Sequence, residues 1–333
     1  MSEFILIIFV VMLSLIFDFI NGFHDTANAI ATSVSTRALK PKSAVLLAAI
    51  MNLLGALAFT GVAKTVGGKI ADPMALEHGV SVVVAALLAA IAWNLITWLY
   101  GIPSSSSHAL LGSLAGATMA AAGFKAVNLY GFIVIVGGLF LSPLGAFAVG
   151  YTIMSVLRFL CHTFSLHRVN SFFRSLQVLS AALQAFSHGT NDAQKTMGII
   201  TFALVAGGFQ QDLEIALWVK ISAALAMALG TYVGGWRIIK TVGTRITRLE
   251  PPTGFASDFT SAIVIISATV AKLPVSTTHV VSSAIMGVGS SKSLSNIKWQ
   301  TVFALVTAWI ITLPVTMLLS SLIFSCLFPS YIK

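Results

Sequence analysis

Charged side chains are scarce in this chain of 333 residues: Asp, Glu, Lys and Arg account for 9% of it, whereas hydrophobic residues account for 57%. A soluble domain carries roughly 25% charged residues, so this chain has too few to cover a surface in water. Its long apolar runs suit the thickness of a bilayer and exclude a β-barrel, whose strands alternate over about 10 residues. The composition predicts an all-α, polytopic membrane protein.

Cysteine and enzyme motifs are also lacking. Cys161 and Cys326 lie far apart without CxxC spacing, which argues against a disulfide framework and a thiolate metal site. No nucleophile–base pair or HExxH motif stands near the polar positions described below, so we expect no enzymatic activity and no cofactor. The net charge of +9 reflects Lys and Arg in short links between apolar runs, where they orient a membrane protein. We expect a lipid bilayer as partner and no nucleic acid.

Polar residues, Gly or Pro interrupt the apolar runs at four places deep in the predicted membrane. The runs cover 4–36, 43–61, 80–100, 103–122, 127–157, 176–206, 215–234, 256–271, 273–290 and 299–328. The interruptions centre on Asn21-Gly22, Pro103, His188-Gly189 and Pro274. An unpaired backbone group is costly in lipid, so a helix break persists only where protein or water covers it. We therefore expect four helix breaks around one interior polar site.

Two of the interrupting motifs recur in the second half of the chain. The pair Gly22 and Asp25 reappears 167 positions later, and the segment 103–108 reappears 171 positions later with Pro first and His last. Two unrelated motifs in the same order at nearly the same displacement indicate a duplication. The predicted parts are a first repeat over 1–157, a basic link over 158–174 and a second repeat over 175–333.

The charges in the links predict that the two repeats are inverted. Basic residues cluster in 37–42 and 158–174, and in 237–248, which holds Arg237, Lys240, Arg245 and Arg248. Cytoplasmic links are rich in Lys and Arg, and placing all three links there requires opposite orientations of the two halves. Inverted repeats with broken helices place substrate sites near the membrane midplane. The same placement predicts an external N-terminus.

Asp25 and Asp192 are the most informative residues of the first motif. An Asp at the centre of a spanning helix costs about 2.5–3.5 kcal/mol on insertion scales, so it is tolerated only when paired, protonated or bound to a cation. Its recurrence favours a coupling-ion role over the alternative, a helix cap. Asn28 follows Asp25 by one turn, and Lys195 takes that place after Asp192, where it either neutralises the carboxylate or contacts an anion.

Hydroxyl clusters follow both prolines, and they comprise Ser105, Ser106, Ser107, Ser276, Thr277 and Thr278. Hydroxyls and free N–H groups at a helix N-terminus form an anion pocket. Two symmetry-related clusters favour binding of one tetrahedral oxyanion over simple packing of hydroxyl residues in membrane helices. Four histidines also lie in the motifs: His108 and His279 favour structural roles, while the roles of His24 and His188 stay open.

Three motif segments together resemble the inorganic phosphate transporter (PiT) family: Asn21 to Ala29, Gly101 to His108 and Ser187 to Lys195. The resemblance implies a secondary phosphate carrier with inverted halves, re-entrant hairpins that bear the hydroxyl clusters, and homodimers. It assigns coupling-ion and phosphate roles to Asp25, Asn28, Asn191 and Asp192, with the hydroxyl clusters facing phosphate.

Two departures from the sodium-coupled pattern point to one branch of that family. His24 stands before Asp25 where sodium-coupled members have Asn, and Gln194-Lys195 replaces Ala-Asn. Both variants resemble the low-affinity, proton-coupled bacterial branch, which implies phosphate uptake as a neutral complex with a divalent metal. Lys195 also removes a neutral oxygen ligand for Na⁺. We therefore predict a proton-coupled phosphate symporter in the bacterial inner membrane.

Alternatives remain on the same scaffold and in another class. A sodium-coupled phosphate carrier or a sulfate carrier would share the architecture. An anion channel would need a continuous pore and could not drive uphill flux. The sequence also leaves open whether 103–122 and 273–290 cross the membrane or re-enter.

Overall fold

The computed structural model describes residues 3–234, 239, 241–243 and 246–331, most of which are helical. The helices are α1 Glu3–Ser35, α2 Pro41–Ala56, α3 Gly61–Lys69, α4 Gly79–Tyr100, α5 Ser106–Ala122, α6 Leu129–Cys161, α7 Leu166–Ala206, α8 Leu217–Val233, α9 Pro251–Val270, α10 Thr277–Ser290 and α11 Trp299–Leu327. The all-α prediction is confirmed. Arg237, Lys240 and Arg245 of the predicted basic link lie outside the described residues.

Five helices are long and apolar enough to cross a membrane: α1, α4, α6, α9 and α11. The pair α2 and α3, bent by 70° at a short break, would form a sixth span. Large apolar side chains cover the outer faces of α6 and α11, where Leu141 and Phe303 are each 67% exposed. These faces suit contact with hydrocarbon rather than with water.

Helices α1 and α7, the first of each repeat, run antiparallel and cross at the polar motifs. At one end, Phe4 near the start of α1 contacts Phe209 beyond the end of α7, with ring centroids 6.2 Å apart. At the other end, Thr36 after α1 donates a 2.7 Å hydrogen bond to Gln177 near the start of α7. Equivalent helices therefore point in opposite directions, as an inverted repeat requires.

The segments around the two prolines are tips of re-entrant hairpins. The first hairpin joins α4 to α5, and its tip touches the middle of α1: Thr97 lies 3.2 Å from the His24 ring, and Ser106 lies 2.8 Å from Asn21. Its outer end lies beside the end of α7, where Gly79 contacts Ala206. Because the tip lies beside the middle of α1, segment 103–122 is the second arm of this hairpin rather than a separate crossing.

The second hairpin, α9 to α10, enters from the opposite end. Gly254 near its outer end lies against Gln177, which is close to the start of α7. The turns at the two tips are alike, because Gly101 and Lys272 both have left-handed φ angles, 66° and 59°. The two hairpins thus reach the centre from opposite ends of the molecule.

Glycines let each hairpin pack closely on a crossing helix of the other repeat. A Cβ at Gly116 in α5 would lie 2.1 Å from the Met317 carbonyl oxygen in α11. A Cβ at Gly287 in α10 would lie 2.1 Å from the Phe147 carbonyl oxygen in α6. Gly116 and Gly287 are 171 positions apart, so the packing repeats with the sequence motif.

Two of the four predicted helix breaks are wrong. Helices α1 and α7 run without interruption through Asn21-Gly22 and His188-Gly189. The two glycines serve close packing: a Cβ at Gly22 would lie 2.3 Å from Met227 O in α8, and one at Gly189 would lie 2.3 Å from Asn52 O in α2. The polar side chains of these motifs form hydrogen bonds with residues on other helices, so the backbone stays helical.

The join between the repeats is shorter than the predicted link 158–174. Helix α6 continues to Cys161 and α7 begins at Leu166, so most of that segment is helical. Helices extend past the apolar core, where basic side chains suit the interface. The sequence reading also missed α3, since Lys64, Lys69 and two glycines interrupt its apolar pattern.

Candidate functional site

The first half of the site surrounds the buried Asp25 in α1. His24 Nδ1 donates to Asp25 Oδ1 at 2.6 Å. The Ser106 hydroxyl, in the first residue of α5, donates to Asp25 Oδ2 and also lies 2.8 Å from Asn21 Oδ1. Thr278, in the second hairpin, donates to Asp25 Oδ1 at 3.2 Å. Asp25 therefore accepts hydrogen bonds from its own helix and from both hairpins.

The second half surrounds the buried Asp192 in α7. Lys195 Nζ lies 2.5 Å from Asp192 Oδ1 and forms a buried ion pair with it. The same ammonium donates to the Ser107 hydroxyl at 2.5 Å and to the Val275 carbonyl at 2.9 Å, which uses all three of its hydrogens. Thr277 donates to Asp192 Oδ2 at 3.1 Å. Lys195 thus neutralises the carboxylate and links the tips of both hairpins.

The contacts of the two halves repeat with the sequence motifs. In each half, the first residue of the hairpin's second helix donates to the Asp of the same repeat. The side chain one turn after each Asp also donates to the hydroxyl cluster of the other repeat. The equivalent contacts are Ser106 to Asp25 and Thr277 to Asp192, then Asn28 to Thr278 and Lys195 to Ser107.

Ser105 and Ser276 are the N-caps of α5 and α10. The Ser105 hydroxyl accepts from the His108 backbone N–H at 3.1 Å, and the Ser276 hydroxyl accepts from the His279 N–H at 3.3 Å. Helix capping therefore belongs to these serines and not to the two aspartates, which lie inside unbroken helices. The positive ends of α5 and α10 both point at the centre of the site.

Asn28 and Asn191, both predicted site residues, differ in how they are used. Asn28 Nδ2 donates to Thr278 at 2.9 Å, and its Oδ1 has no partner among the described residues. Asn191 instead holds the second hairpin tip, because it donates to Thr269 and to the Leu273 carbonyl and accepts from the Val275 N–H at 3.1 Å. Its polar groups are therefore already engaged by protein.

Histidines complete the surroundings in two different ways. His188 Nδ1 donates to Asn52 Oδ1 at 3.0 Å, and its Nε2 lies 3.4 Å from Asp192 Oδ2. His108 and His279 lie behind the tips with ring centroids 4.6 Å apart, and His279 stacks on Trp309 at 4.0 Å. These aromatic contacts are consistent with the structural roles expected for His108 and His279.

Several buried polar residues were missed from the sequence. Asn52 Nδ2 donates to the Thr26 and Thr231 hydroxyls, both at 2.9 Å, and so joins α1, α2 and α8. Asp18 and Asp258 are fully buried carboxyls outside the repeated motifs. A search for acidic residues inside the apolar runs, without the requirement of a repeat, would have found both.

Comparisons with known proteins agree with this architecture. A model of the phosphate transporter family matches residues 21–320. The chain belongs to the phosphate transporter family. It is 54% identical to a probable low-affinity inorganic phosphate transporter of Bacillus subtilis, over 96% of each chain, and 43% identical to one of Rhizobium meliloti, over 95% of each.

A solved structure shares the fold as well. The sodium-dependent phosphate transporter superposes with a TM-score of 0.85 over 97% of this chain and 98% of its own, at 25% identity. The resemblance to the PiT family is thereby confirmed, and the fold is that of a phosphate transporter. The named relatives share low affinity, whereas the structural neighbour is named for sodium dependence, so the coupling ion is a separate question.

Proposed function

We propose that this family member is a secondary symporter that imports inorganic phosphate together with protons across a bacterial inner membrane. Phosphate binds between the two hairpin tips, and the two buried aspartates respond to the coupling ion. The N-terminus faces the exterior, and the basic links face the cytoplasm. Two copies associate as a dimer.

The observation that carries this proposal is that the hydroxyls suited to phosphate already donate to the two carboxylates. Ser106 and Thr278 donate to Asp25, and Thr277 donates to Asp192. A phosphate that takes these donors leaves the carboxylates with fewer hydrogen bonds, which favours their protonated form. Proton binding and phosphate binding then strengthen each other, since coupling between two sites is reciprocal.

The contacts of the aspartates favour a proton over a sodium ion. Asp192 is neutralised by Lys195, whose ammonium occupies the place that Asn28 holds in the first half. Asp25 accepts a hydrogen bond from His24 Nδ1 on its own helix at 2.6 Å. A sodium site would need several free oxygen ligands, and the carboxylate oxygens here already accept from protein donors.

The anion is phosphate rather than sulfate for a related reason. Near neutral pH, phosphate carries a proton that it can donate in a hydrogen bond to a carboxylate oxygen, whereas sulfate has no proton to donate. A divalent metal would travel as the counter-ion of phosphate. Among the described residues, no group of three or more His, Cys, Asp and Glu is arranged to hold a metal ion by itself.

The proposal is tested by uptake of radiolabelled phosphate into proteoliposomes. One arm imposes an inside-alkaline pH gradient without sodium, and another imposes an inward sodium gradient at equal pH. We expect accumulation above equilibrium in the first arm, with internal acidification reported by a pH dye. Accumulation in the sodium arm alone would contradict proton coupling.

Two further arms separate the alternatives. Excess sulfate should leave uptake unchanged, and a sulfate carrier would instead be inhibited. Uptake with magnesium and with a chelator tests whether a metal travels with phosphate. A channel would only equilibrate phosphate, so uphill accumulation excludes it.

A further inference from the structure

Asp18 differs from the other buried acids of this protein. Four aspartates are fully buried among the described residues, and three of them accept hydrogen bonds from side chains. Asp258, for example, accepts from Thr32 at 2.5 Å and from Ser180 at 3.4 Å. Neither carboxyl oxygen of Asp18 has a partner in ordinary hydrogen-bond geometry in the described structure, although the Asn21 and Thr196 side chains are near enough to interact with it.

The groups that face Asp18 do not supply a free positive charge. Asn21 and Thr196 face it, and the charges of Asp192 and Lys195 act on it from α7. Lys195 directs its three hydrogens elsewhere, to Asp192, Ser107 and Val275. An ionised carboxylate at this depth would therefore be buried without a cation, which is costly in a membrane.

Other titratable groups lie farther along the helices packed against α1. These are Lys42 on α2, Tyr100 on α4, His167, Arg168, Arg174 and His188 on α7, Lys220 and Tyr232 on α8, Asp258 on α9, and His279 on α10. Two of them have contacts away from Asp18: Asp258 bonds Thr32, four turns along α1, and His188 bonds Asn52. On α1 itself, His24 and Asp25 lie about two turns beyond Asp18 and bond each other.

A proton matches the polar atoms around Asp18 better than a metal ion does. Asn21 Nδ2 and the Thr196 hydroxyl are also without partners. A protonated Asp18 could donate its O–H to Thr196 and accept from Asn21 Nδ2 through its carbonyl oxygen. A metal ion would need several oxygen ligands, but Asn21 Oδ1 already lies 2.8 Å from the Ser106 hydroxyl and the Lys195 charge opposes a cation.

We propose that Asp18 is a further proton-binding residue, which takes up a proton from water when its carboxylate becomes a carboxylic acid and returns it when it ionises. Asp18 precedes Asp25 by seven residues, which is about 10 Å along the helix. Asn21 stands between them, and its Oδ1 shares the Ser106 hydroxyl with Asp25. The charge of Asp18 therefore influences the hydroxyl that binds Asp25. This inference rests on the proposed proton coupling.

The test compares Asp18→Asn with wild type and with Ser14→Ala in proteoliposomes. Ser14 lies one turn earlier on α1, and its buried hydroxyl has no partner, so its removal is a matched control without a titratable group. With a pH gradient of two units, one proton per phosphate supports about 100-fold accumulation. Because each coupled proton contributes about 100-fold under this gradient, we expect Asp18→Asn to lose about 100-fold of the accumulation while still exchanging phosphate in counterflow, and Ser14→Ala to retain both.

The controls separate this inference from the proposed function. If wild type moves no protons with phosphate, the proposed function fails and Asp18 loses its role with it. If wild type and Asp18→Asn move equal numbers of protons per phosphate, only the inference about Asp18 is wrong. If Asp18→Asn loses counterflow, Asp18→Glu decides: exchange with proton movement supports the inference, and exchange without it overturns the inference.

Discussion

Asp25 and Asp192 occupy equivalent positions in the two repeats, but their negative charges are balanced differently. Beside Asp192 stands Lys195, whose ammonium is paired at 2.5 Å. Beside Asp25 stands His24, at 2.6 Å, while the place equivalent to Lys195 holds the neutral Asn28. One half thus has a lysine paired with its Asp, and the other has a histidine beside its Asp and a neutral amide at the place equivalent to the lysine.

This difference teaches that a duplicated site need not bind two equal ions. In the second half, Lys195 pairs with Asp192 and also donates to the tips of both hairpins, so this half holds the hairpins together. In the first half, a bound phosphate would compete for Ser106 and Thr278, the hydroxyl donors of Asp25. We infer that Asp25 contributes more to ion coupling and Asp192 more to holding the hairpins together, and the following predictions test this difference.

The relative orientation of the halves has an all-or-none test. Lys40 follows α1, and Gln210 follows α7, at opposite ends of the antiparallel pair. Lys40→Cys and Gln210→Cys, each in a protein whose native cysteines are replaced by Ser, should react with an impermeant thiol reagent from opposite sides of the membrane. Labelling of both positions from one side would refute the inverted arrangement.

Removal of the Asp192 carboxylate should destabilise the protein most. Asp192→Asn leaves the buried Lys195 ammonium without its partner, which should cost about 3–5 kcal/mol of stability. Thermal unfolding in detergent measures the loss. The double variant Asp192→Asn with Lys195→Asn should recover much of it, since no charge is then unpaired. Equal instability of the single and double variants would show that the ion pair is not the cause.

Removal of the Asp25 carboxylate should instead abolish transport while sparing the fold. Asp25→Asn leaves no lysine without its partner, because the place equivalent to Lys195 holds the neutral Asn28. Under a pH gradient of two units, one coupled proton supports about 100-fold accumulation of phosphate. The variant should lose this accumulation. A monodisperse elution profile checks the fold, and persisting accumulation would remove Asp25 from the coupling role.

Replacing the fixed cation beside Asp192 by a neutral amide should create a sodium response. Lys195→Asn leaves Asp192 without a cation and supplies the amide found at Asn28. Sodium should then stabilise the variant by about 1 kcal/mol at a concentration several times its Kd, while leaving wild type unchanged. Melting curves with sodium or with potassium at equal ionic strength measure this. An equal response of both proteins would argue against a specific site.

Two neighbouring serines should show the smallest and most distinct effects. Ser106→Ala removes a donor to Asp25, and we expect apparent phosphate affinity to fall about fivefold, which corresponds to roughly 1 kcal/mol for one hydrogen bond. Ser105→Ala removes the cap of α5, so it should cost about 1 kcal/mol of stability and change affinity little. The dependence of uptake on phosphate concentration measures the apparent affinity, and melting curves measure the stability. If the two variants had the same affinity and the same stability, both serines would have packing roles only.

The duplication made part of the site predictable from the sequence. Asp25 and Asp192, together with the hydroxyl clusters, recur in order, and the recurrence pointed to equivalent positions around one centre. Asp18 has no such support, because the position 167 residues later is Ala185. A search for repeats finds residues that occur in both halves and overlooks residues, such as Asp18, that occur in one half only.

The partners of the polar side chains could not be predicted, since they come from distant parts of the chain. His24 meets Thr97, 73 positions away, and His188 meets Asn52, 136 positions away. Such tertiary contacts also explain why α1 stays helical at Asn21-Gly22. Glycine and asparagine weaken an isolated helix, but close packing against α8 outweighs that preference. The hairpins were ambiguous for another reason: an apolar run of that length fits a full crossing or an oblique re-entry.

The shared coordination of Asp25 has a consequence for gating. Ser106 approaches it from one side of the molecule and Thr278 from the other. If either hairpin withdraws, the other still donates a hydrogen bond, but simultaneous withdrawal would strip the carboxylate of both hydroxyls. We infer that, if the two hairpins act as gates in the proposed transport cycle, this shared acceptor disfavours their opening at the same time and so limits a leak of ions.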